Sequence, residues 1–336
     1  MNFHPRVLPA CLVLAGIAVI TGLVIYFGVG DVAKALVSVR RANFALYIAA
    51  QLVITAGLGL CWRMLLRSRQ RGSFRLCVWG RLVRDATGEF LPFSQVGGYV
   101  LGARVMTLQG VNGTDAAAST VGDVTTEFLA ELVFIGIGLA ILANLAPHSR
   151  LLLPVAIGLC IAVVNGVGLV LVQRRGGKIF RAIALRIAGS ARRDNSAGSA
   201  RGGAAEQLDR LQAAMDQMYA ERGRLALAAF FHLLCWFGTA TASYIGFHAL
   251  GVKLAFTTAI AIEAMLHAIM ALAFFVPGRV GIQEAAYTLL GTIFGIPPEI
   301  ALSLSLLRRA RDFVIAVPVL LVWQGVEARR LRFRTG

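Results

Sequence analysis

Long uninterrupted apolar segments constrain this chain more than any other feature. They centre on residues 8–28, 43–64, 116–145, 151–173, 224–249, 254–277 and 301–324, with a shorter one at 283–295. A helix of about 20 apolar residues crosses the ~30 Å hydrocarbon core of a bilayer. Charged residues are only 15% of the chain, against about 25% in a soluble domain. The segments therefore exclude a soluble globular enzyme and predict an all-α polytopic membrane protein, with residues 1–336 in a single membrane domain.

Basic charge is concentrated in three regions. Seven arginines lie from Arg63 to Arg84, eleven Lys or Arg against five acids lie from Arg174 to Arg224, and four arginines follow Trp323. Loops rich in Lys and Arg stay in the cytoplasm and attract anionic lipid. We therefore expect a multi-pass protein of the bacterial inner (plasma) membrane with both termini cytoplasmic, and no nucleic-acid partner.

This orientation leaves two stretches that must enter the membrane and return on the same side. Residues 65–112 begin and end inside, and residues 250–298 begin and end outside. The prediction is about six spanning helices plus two re-entrant or broken helical hairpins. Because residues 70–92 carry several charges, they cannot face lipid along their whole length, and we place them at the interface or inside the protein.

The chain repeats weakly at an offset of 185 residues. Segment 43–64 falls on 228–249, Pro92 on Pro277 and Gly110 on Gly295. The charge rule gives corresponding segments opposite directions, as in the inverted repeats of transporters. We predict a first helix at 8–28, repeat halves at 43–145 and 224–330, and a linking helix at 151–173.

A basic cytoplasmic loop, residues 174–223, separates the two predicted halves. Residues 189–205 are rich in Gly, Ser, Ala and Arg and predict a flexible linker. Residues 204–221 place Leu208, Leu211, Met215 and Met218 on one helical face. That spacing predicts an amphipathic helix on the inner leaflet, and a merely solvated helix is the alternative.

Each half contains a helix break at membrane depth. The first has Pro92, Gly97 and Gly98, and the second has Pro277, Gly278 and Gly281. Proline removes a backbone donor and glycine permits unusual dihedrals, so the breaks leave backbone groups that must line protein or a wet cavity. A kinked helix or a surface loop is the alternative.

Ionisable residues within the apolar segments are the candidate functional groups. Asp123, Glu127 and Glu131 recur every four residues on one helical face. Arg308, Arg309, Arg311 and Asp312 interrupt segment 301–324. We expect Arg308 to pair with Asp312 in its own helix, or Asp123 or Glu127 to meet Arg308 or Arg311 across the repeat. The result is either a cavity for a polar headgroup or a structural ion-pair clamp.

Glu263 and His267, also four residues apart, are a candidate pair for proton coupling, and the alternative is a packed polar histidine. The five scattered cysteines predict neither a disulfide framework nor a metal site. The sequence contains no short catalytic or nucleotide-binding signature. We therefore expect no cofactor, no metal and no enzymatic activity.

The motifs around the breaks resemble those of a known family. EFLPFSQVGG at 89–98, VPGRVGIQEAAY at 276–287 and GIPPEIALSLSLLRRARD at 295–312 are similar to the flippase-like family related to the transmembrane region of lysylphosphatidylglycerol synthases. More narrowly, LPFSQVGG at 91–98 with GAR at 102–104, together with LLRRARD at 306–312, resembles the hopanoid-biosynthesis-associated membrane proteins. The resemblance implies a Glu directly after the first glycine pair, and this chain has Tyr99 at that place. The corresponding glutamate of the second half, Glu284, is present.

The leading hypothesis is an inner-membrane translocase, or transport accessory, for a polar-headed lipid, with hopanoid metabolism implied by the resemblance. An integral membrane transferase using Glu284 or Asp123 as base is the second hypothesis, and a scaffold for lipid-synthesis enzymes is the third. Membrane lipids and lipid-synthesis or export proteins are the expected partners, and the oligomeric state stays open. The candidate pathway residues are Glu89, Ser94, Gln95, Arg104, Asp123, Glu127, Arg279, Gln283, Glu284, Arg308, Arg311 and Asp312.

Overall fold

The computed structural model describes residue 21 and residues 29–66, 72–90, 94–175, 197–272 and 279–335, and these contain helices and no β-strand. We number the helices of these residues α1 Val29–Ser38, α2 Arg41–Leu65, α3 Phe74–Phe90, α4 Ser94–Leu108, α5 Gly113–Leu145, α6 Leu152–Arg175, α7 Ala197–Ala220, α8 Arg222–Ala249, α9 Phe256–Leu272, α10 Ile282–Ile293 and α11 Pro298–Thr335. The predicted all-α class is confirmed. The predicted first helix, 8–28, lies outside the described residues apart from residue 21.

Four of these helices are long and apolar enough to cross a membrane, namely α2, α5, α6 and α8. They correspond to the predicted segments 43–64, 116–145, 151–173 and 224–249. Large apolar side chains of α6, such as Leu153 and Val164, are 69% and 72% exposed, which is the surface that hydrocarbon solvates. The predicted segment 301–324 lies inside the 38-residue α11. The chain is thus a multi-pass membrane protein.

The two stretches predicted to enter and return each form a pair of short helices. Helices α3 and α4 have 17 and 15 residues, and α9 and α10 have 17 and 12. At 1.5 Å per residue the longest reaches only about 25 Å, less than the ~30 Å core. Glycine lets α4 lie against α3, because a Cβ on Gly98 would be 2.6 Å from the Arg84 carbonyl oxygen.

The element order repeats at the predicted offset of 185 residues. Helices α4 and α10 end at Leu108 and Ile293, and α5 and α11 begin at Gly113 and Pro298. The connecting glycines Gly110 and Gly295 have φ of 87° and 69°, dihedrals that favour glycine. The halves pack through α2 against α8, α5 against α9 and α3 against α11. Their opposite orientation in the membrane stays a prediction.

Two segments differ from the sequence-based expectation. Residues 29–38 lie between the predicted segments 8–28 and 43–64, where no helix was predicted, and they form helix α1. Helix α7 begins at Ala197, so residues 197–203 are helical where a flexible linker was predicted. The apolar face of α7 also packs on protein, because the Met218 sulfur would be 2.4 Å from a Cβ placed on Gly122 of α5. Tertiary contact therefore supports α7 in addition to any contact with the leaflet.

Candidate functional site

A first cluster of charged side chains lies in the interior between α3, α5 and α8, and we call it the first-half cluster. Arg81 and Arg84 of α3 are 4% and 5% exposed, and Asp123 of α5 is 0% exposed. Arg84 donates to Asp123 Oδ2 at 2.6 Å and to Glu127 Oε2 at 2.7 Å. Arg81 donates to Asp123 Oδ2 at 3.2 Å and also binds Glu127. His232 of α8 places Nε2 at 3.1 Å from Asp123 Oδ1.

Helix geometry explains how this cluster forms. Arg81 and Arg84 are three residues apart on α3, and Asp123 and Glu127 are four apart on α5, so each pair lies on one face. Two guanidinium groups therefore meet two carboxylates across the helix contact. Removing one partner of such a buried pair costs about 3–5 kcal/mol, because the other charge is left uncompensated.

The expectation that Asp123 or Glu127 meets Arg308 or Arg311 is wrong. Both carboxylates pair with Arg81 and Arg84 instead. These two arginines are site residues that the sequence reasoning missed. The sequence did indicate that charges in residues 70–92 are buried, since they cannot face lipid. It did not indicate their partners, because the pairing depends on how α3 packs on α5.

A second cluster lies between α9, α10 and α11, and we call it the second-half cluster. Arg308 Nη1 donates to Glu263 Oε2 and to the Tyr287 hydroxyl, both at 2.9 Å. Glu263 also accepts from Ser243 of α8 at 2.5 Å and from Tyr287. Glu263 is 0% exposed, so its charge is balanced by Arg308 and by hydroxyl donors from two other helices.

The helix break before α10 is built around Glu284. The Gly281 N–H donates to Glu284 Oε2 at 2.8 Å, and Gly281 has φ 83° at the N-cap of α10. Arg309 of α11 binds both carboxylate oxygens, with Nη2 at 3.2 Å from Oε2. Arg279 has φ 48°, which is strained for a residue other than glycine. The break and the charged helix α11 are therefore joined through one buried carboxylate.

The predicted pair Arg308–Asp312 within α11 is also wrong. Arg308 faces Glu263, and Asp312 Oδ1 accepts from Nε and Nη2 of the adjacent Arg311 at 2.9 and 2.7 Å. The Arg311 guanidinium carbon lies 4.7 Å from the centre of the Tyr47 ring of α2. A partner on another helix outcompetes the pair within the helix, because the Arg308 guanidinium reaches Glu263 Oε2 of α9 at 2.9 Å.

The two clusters occupy similar positions with opposite charges. Arg81 and Glu263 are both the eighth residue of a 17-residue helix and are 182 residues apart, and the 185-residue offset places Asp123 on Arg308. Arg81–Asp123 and Glu263–Arg308 are thus similar crossings, shifted by three residues on the short helix, with the signs exchanged. The 185-residue offset also places Tyr47 of α2 on His232 of α8. Tyr47 contacts Arg311 of the second half, and His232 contacts Asp123 of the first half, so α2 and α8 each reach the other half.

His267 lies between the two clusters. Its Nε2 is 3.8 Å from Glu263 Oε2, and its Nδ1 is 3.4 Å from Glu131 Oε1. The predicted pair Glu263–His267 is therefore adjacent but separated by more than a hydrogen bond. Trp236 of α8 packs edge-on against His267, with centroids 4.4 Å apart, and its Nε1 donates to the Glu127 carbonyl at 3.3 Å.

The remaining predicted residues divide into three groups. Glu89 has charged neighbours in Arg279, Arg308, Arg309 and Asp312, which brings the end of α3 to the second-half cluster. Gln283 donates to Ser305 at 3.0 Å within the core. Arg104 is exposed and pairs with Glu327, away from both clusters. Pro92, Pro277 and Gly278 lie outside the described residues, and the side chains of Ser94 and Gln95 lie outside the described side chains.

Comparison with known proteins gives one match. The family model described as the lysylphosphatidylglycerol synthase TM region matches residues 13–319, which is most of the chain. No curated protein and no solved structure matches. The match extends over both clusters and both helix breaks, so the site described above lies within the region that defines the family.

Proposed function

Since this chain belongs to the family of the lysylphosphatidylglycerol synthase transmembrane region, and so has a membrane function related to lipids, we propose that it translocates a polar-headed lipid, or assists its translocation. The family description names a synthase of a charged-headed lipid. The motifs at 89–98 and 295–312 support hopanoid metabolism as the context. We place the chain in the bacterial inner membrane with both termini in the cytoplasm.

One observation carries this proposal. Two pairs of helices too short to span a bilayer each deliver charged side chains to the interior, at Arg81 and Arg84 and at Glu263 and Glu284. Charges inside a membrane protein are costly, and they mark functional sites such as substrate or ion pathways and proton relays. Guanidinium groups bind phosphate and hydroxyl oxygens with two parallel donors. An anionic headgroup can therefore replace a carboxylate as the partner of a buried arginine such as Arg84, which now binds Asp123 and Glu127.

The geometry gives less support to a transferase. Glu284 accepts from the Gly281 N–H and from Arg309, and Asp123 accepts from two arginines and contacts His232. A carboxylate engaged by several donors is a weak general base, because those hydrogen bonds favour its ionised form. The scaffold, the third hypothesis from the sequence, therefore becomes the second candidate, because the buried charges pair with one another.

Lipid movement in proteoliposomes tests the proposal. The purified chain is reconstituted with fluorescent phosphatidylglycerol or a fluorescent hopanoid, and dithionite quenches the outer leaflet. Arg308→Ala and Glu284→Gln should each slow translocation about tenfold or more, since loss of a charged hydrogen bond costs about 1.5–3 kcal/mol. Arg210→Gln is the matched control, because Arg210 is exposed and its ion pair with Glu206 lies along α7. No translocation of either lipid by the native chain would favour the scaffold.

A further inference from the structure

The surroundings of His267 are defined by the helices packed around α9. From α5 the imidazole faces Glu131, and from its own helix it faces Glu263. Helix α8 supplies the uncharged Trp236 ring. Behind Glu263 are Arg308 of α11 and Tyr287 of α10, both bound to that carboxylate. The imidazole thus lies between two carboxylates that belong to different halves of the chain.

Exposure falls steadily along this row of titratable groups. The Glu131 side chain is 20% exposed, the His267 side chain is 11% exposed and the Glu263 side chain is 0% exposed. Glu131 is one helical turn from Glu127 of the first-half cluster. Glu131 is thus the most exposed member of the row, and His267 separates it from the buried second-half cluster.

The imidazole is suited to take that proton. A neutral ring donates from one nitrogen, whereas a charged ring donates from both. Only the charged ring can therefore bind Glu131 and Glu263 together. The gaps of 3.4 and 3.8 Å exceed the usual charge-assisted length of about 2.7–2.9 Å, and Nε2 has no hydrogen-bond partner among the described residues. Glu263 Oε2 also accepts from Arg308 at 2.9 Å, so the two cations compete for one oxygen.

We propose that His267 is a proton-binding site, and that its charge controls how strongly Glu263 holds Arg308. When the ring is charged, Glu263 Oε2 is shared with His267, and Arg308 becomes available to a phosphate or other anionic headgroup. When the ring is neutral, Arg308 is held by Glu263. The link to the headgroup rests on the proposed function, whereas the proton site itself does not.

Histidine NMR on the full chain in lipid nanodiscs tests the proton site alone. The variant H267Q assigns the ring signals. The exposed His248 serves as internal control, because its Nδ1 lies 2.9 Å from the Tyr244 carbonyl oxygen and its ring packs on the Tyr244 ring. We expect the His267 ring to become charged on acidification. E131Q removes a neighbouring negative charge, so it should alter this response of His267 and leave the His248 signals as in the native chain. A ring that stays neutral, or a response that E131Q leaves unaltered, would overturn the proposal.

Translocation of fluorescent phosphatidylglycerol at about pH 6 and about pH 8 tests the coupling. The native chain and H248Q should move this lipid several-fold faster at the lower pH, and H267Q should show the same rate at both. An H267Q variant that keeps the native pH ratio would refute the coupling. If the native chain moves no phosphatidylglycerol, the proposed function fails for that lipid, and the NMR titration still decides the proton site.

Discussion

At the scale of single residues, the fold depends on charges that are paired inside it. Asp123 contacts Arg81, Arg84 and His232 from two other helices. The sequence placed Asp123 and Glu127 on one helical face, because that follows from the spacing alone. It did not identify their partners, because a pairing between distant residues depends on which helices pack together, and spacing carries no information on that.

Replacing Asp123 should therefore be far more costly than replacing a surface carboxylate. In D123N, two buried guanidinium groups lose a compensating charge, and we expect a loss of about 3–5 kcal/mol in the free energy of unfolding. The control is E206Q, which breaks an exposed pair on α7 and should change stability by less than about 1 kcal/mol. Both variants are heated in detergent, and gel filtration measures the fraction that stays folded at each temperature. Equal stabilities of D123N and E206Q would refute the buried clamp.

At the scale of helices, close packing of α3 on α4 positions the first-half cluster. The sequence predicted a hairpin in residues 65–112 from charge asymmetry, and two short helices occupy this stretch. The amphipathic pattern at 204–221 also predicted a helix. Its contact with α5 could not be predicted, because an apolar helical face suits lipid and protein equally.

Gly98 is the residue on which this packing depends most directly. G98A would place a Cβ at 2.6 Å from the Arg84 carbonyl, so α4 must move away from α3. We expect a loss of about 1–3 kcal/mol and a lower unfolding temperature. The matched control is G158A on α6, where nothing lies within 4 Å of the new Cβ. Equal unfolding temperatures for the two variants would contradict the close contact.

At the scale of the whole molecule, two halves face each other across α2 and α8. The thiols of Cys61 on α2 and Cys235 on α8 lie beside each other. Arg104 at the end of α4 reaches Glu327 near the end of α11, so these two ends share one side of the molecule. The positive-inside rule predicts that this shared side faces the cytoplasm.

The native cysteines allow this interface to be tested. With the other cysteines replaced by alanine, a short bifunctional thiol reagent should join Cys61 to Cys235 within one chain. A chain that retains only Cys61 and Cys160 is the control, because Cys160 is exposed on α6. Mass spectrometry of the tryptic peptides detects the link. A link in the control alone would contradict the packing of α2 on α8.

Labelling with a membrane-impermeant maleimide tests the inverted orientation of the halves. We expect cysteines introduced at Gln109 and Pro297, which follow α4 and α10, to react from opposite sides of the membrane. The positive-inside rule places Gln109 in the cytoplasm. Labelling of both positions from one side would contradict the inverted repeat. It would not affect the order of the helices along the chain.

Lipid movement is the central claim, and lipid mass spectrometry of cells lacking the chain tests it most directly. Inner and outer membrane fractions are compared in the deletion strain and in strains restored with the native chain or with R308A. The account predicts that every lipid is made, that one polar-headed species is depleted from the outer membrane, and that only the native chain restores it. If a modified lipid disappears and its precursor accumulates in both fractions, the chain modifies lipid rather than moving it, and the central claim is wrong.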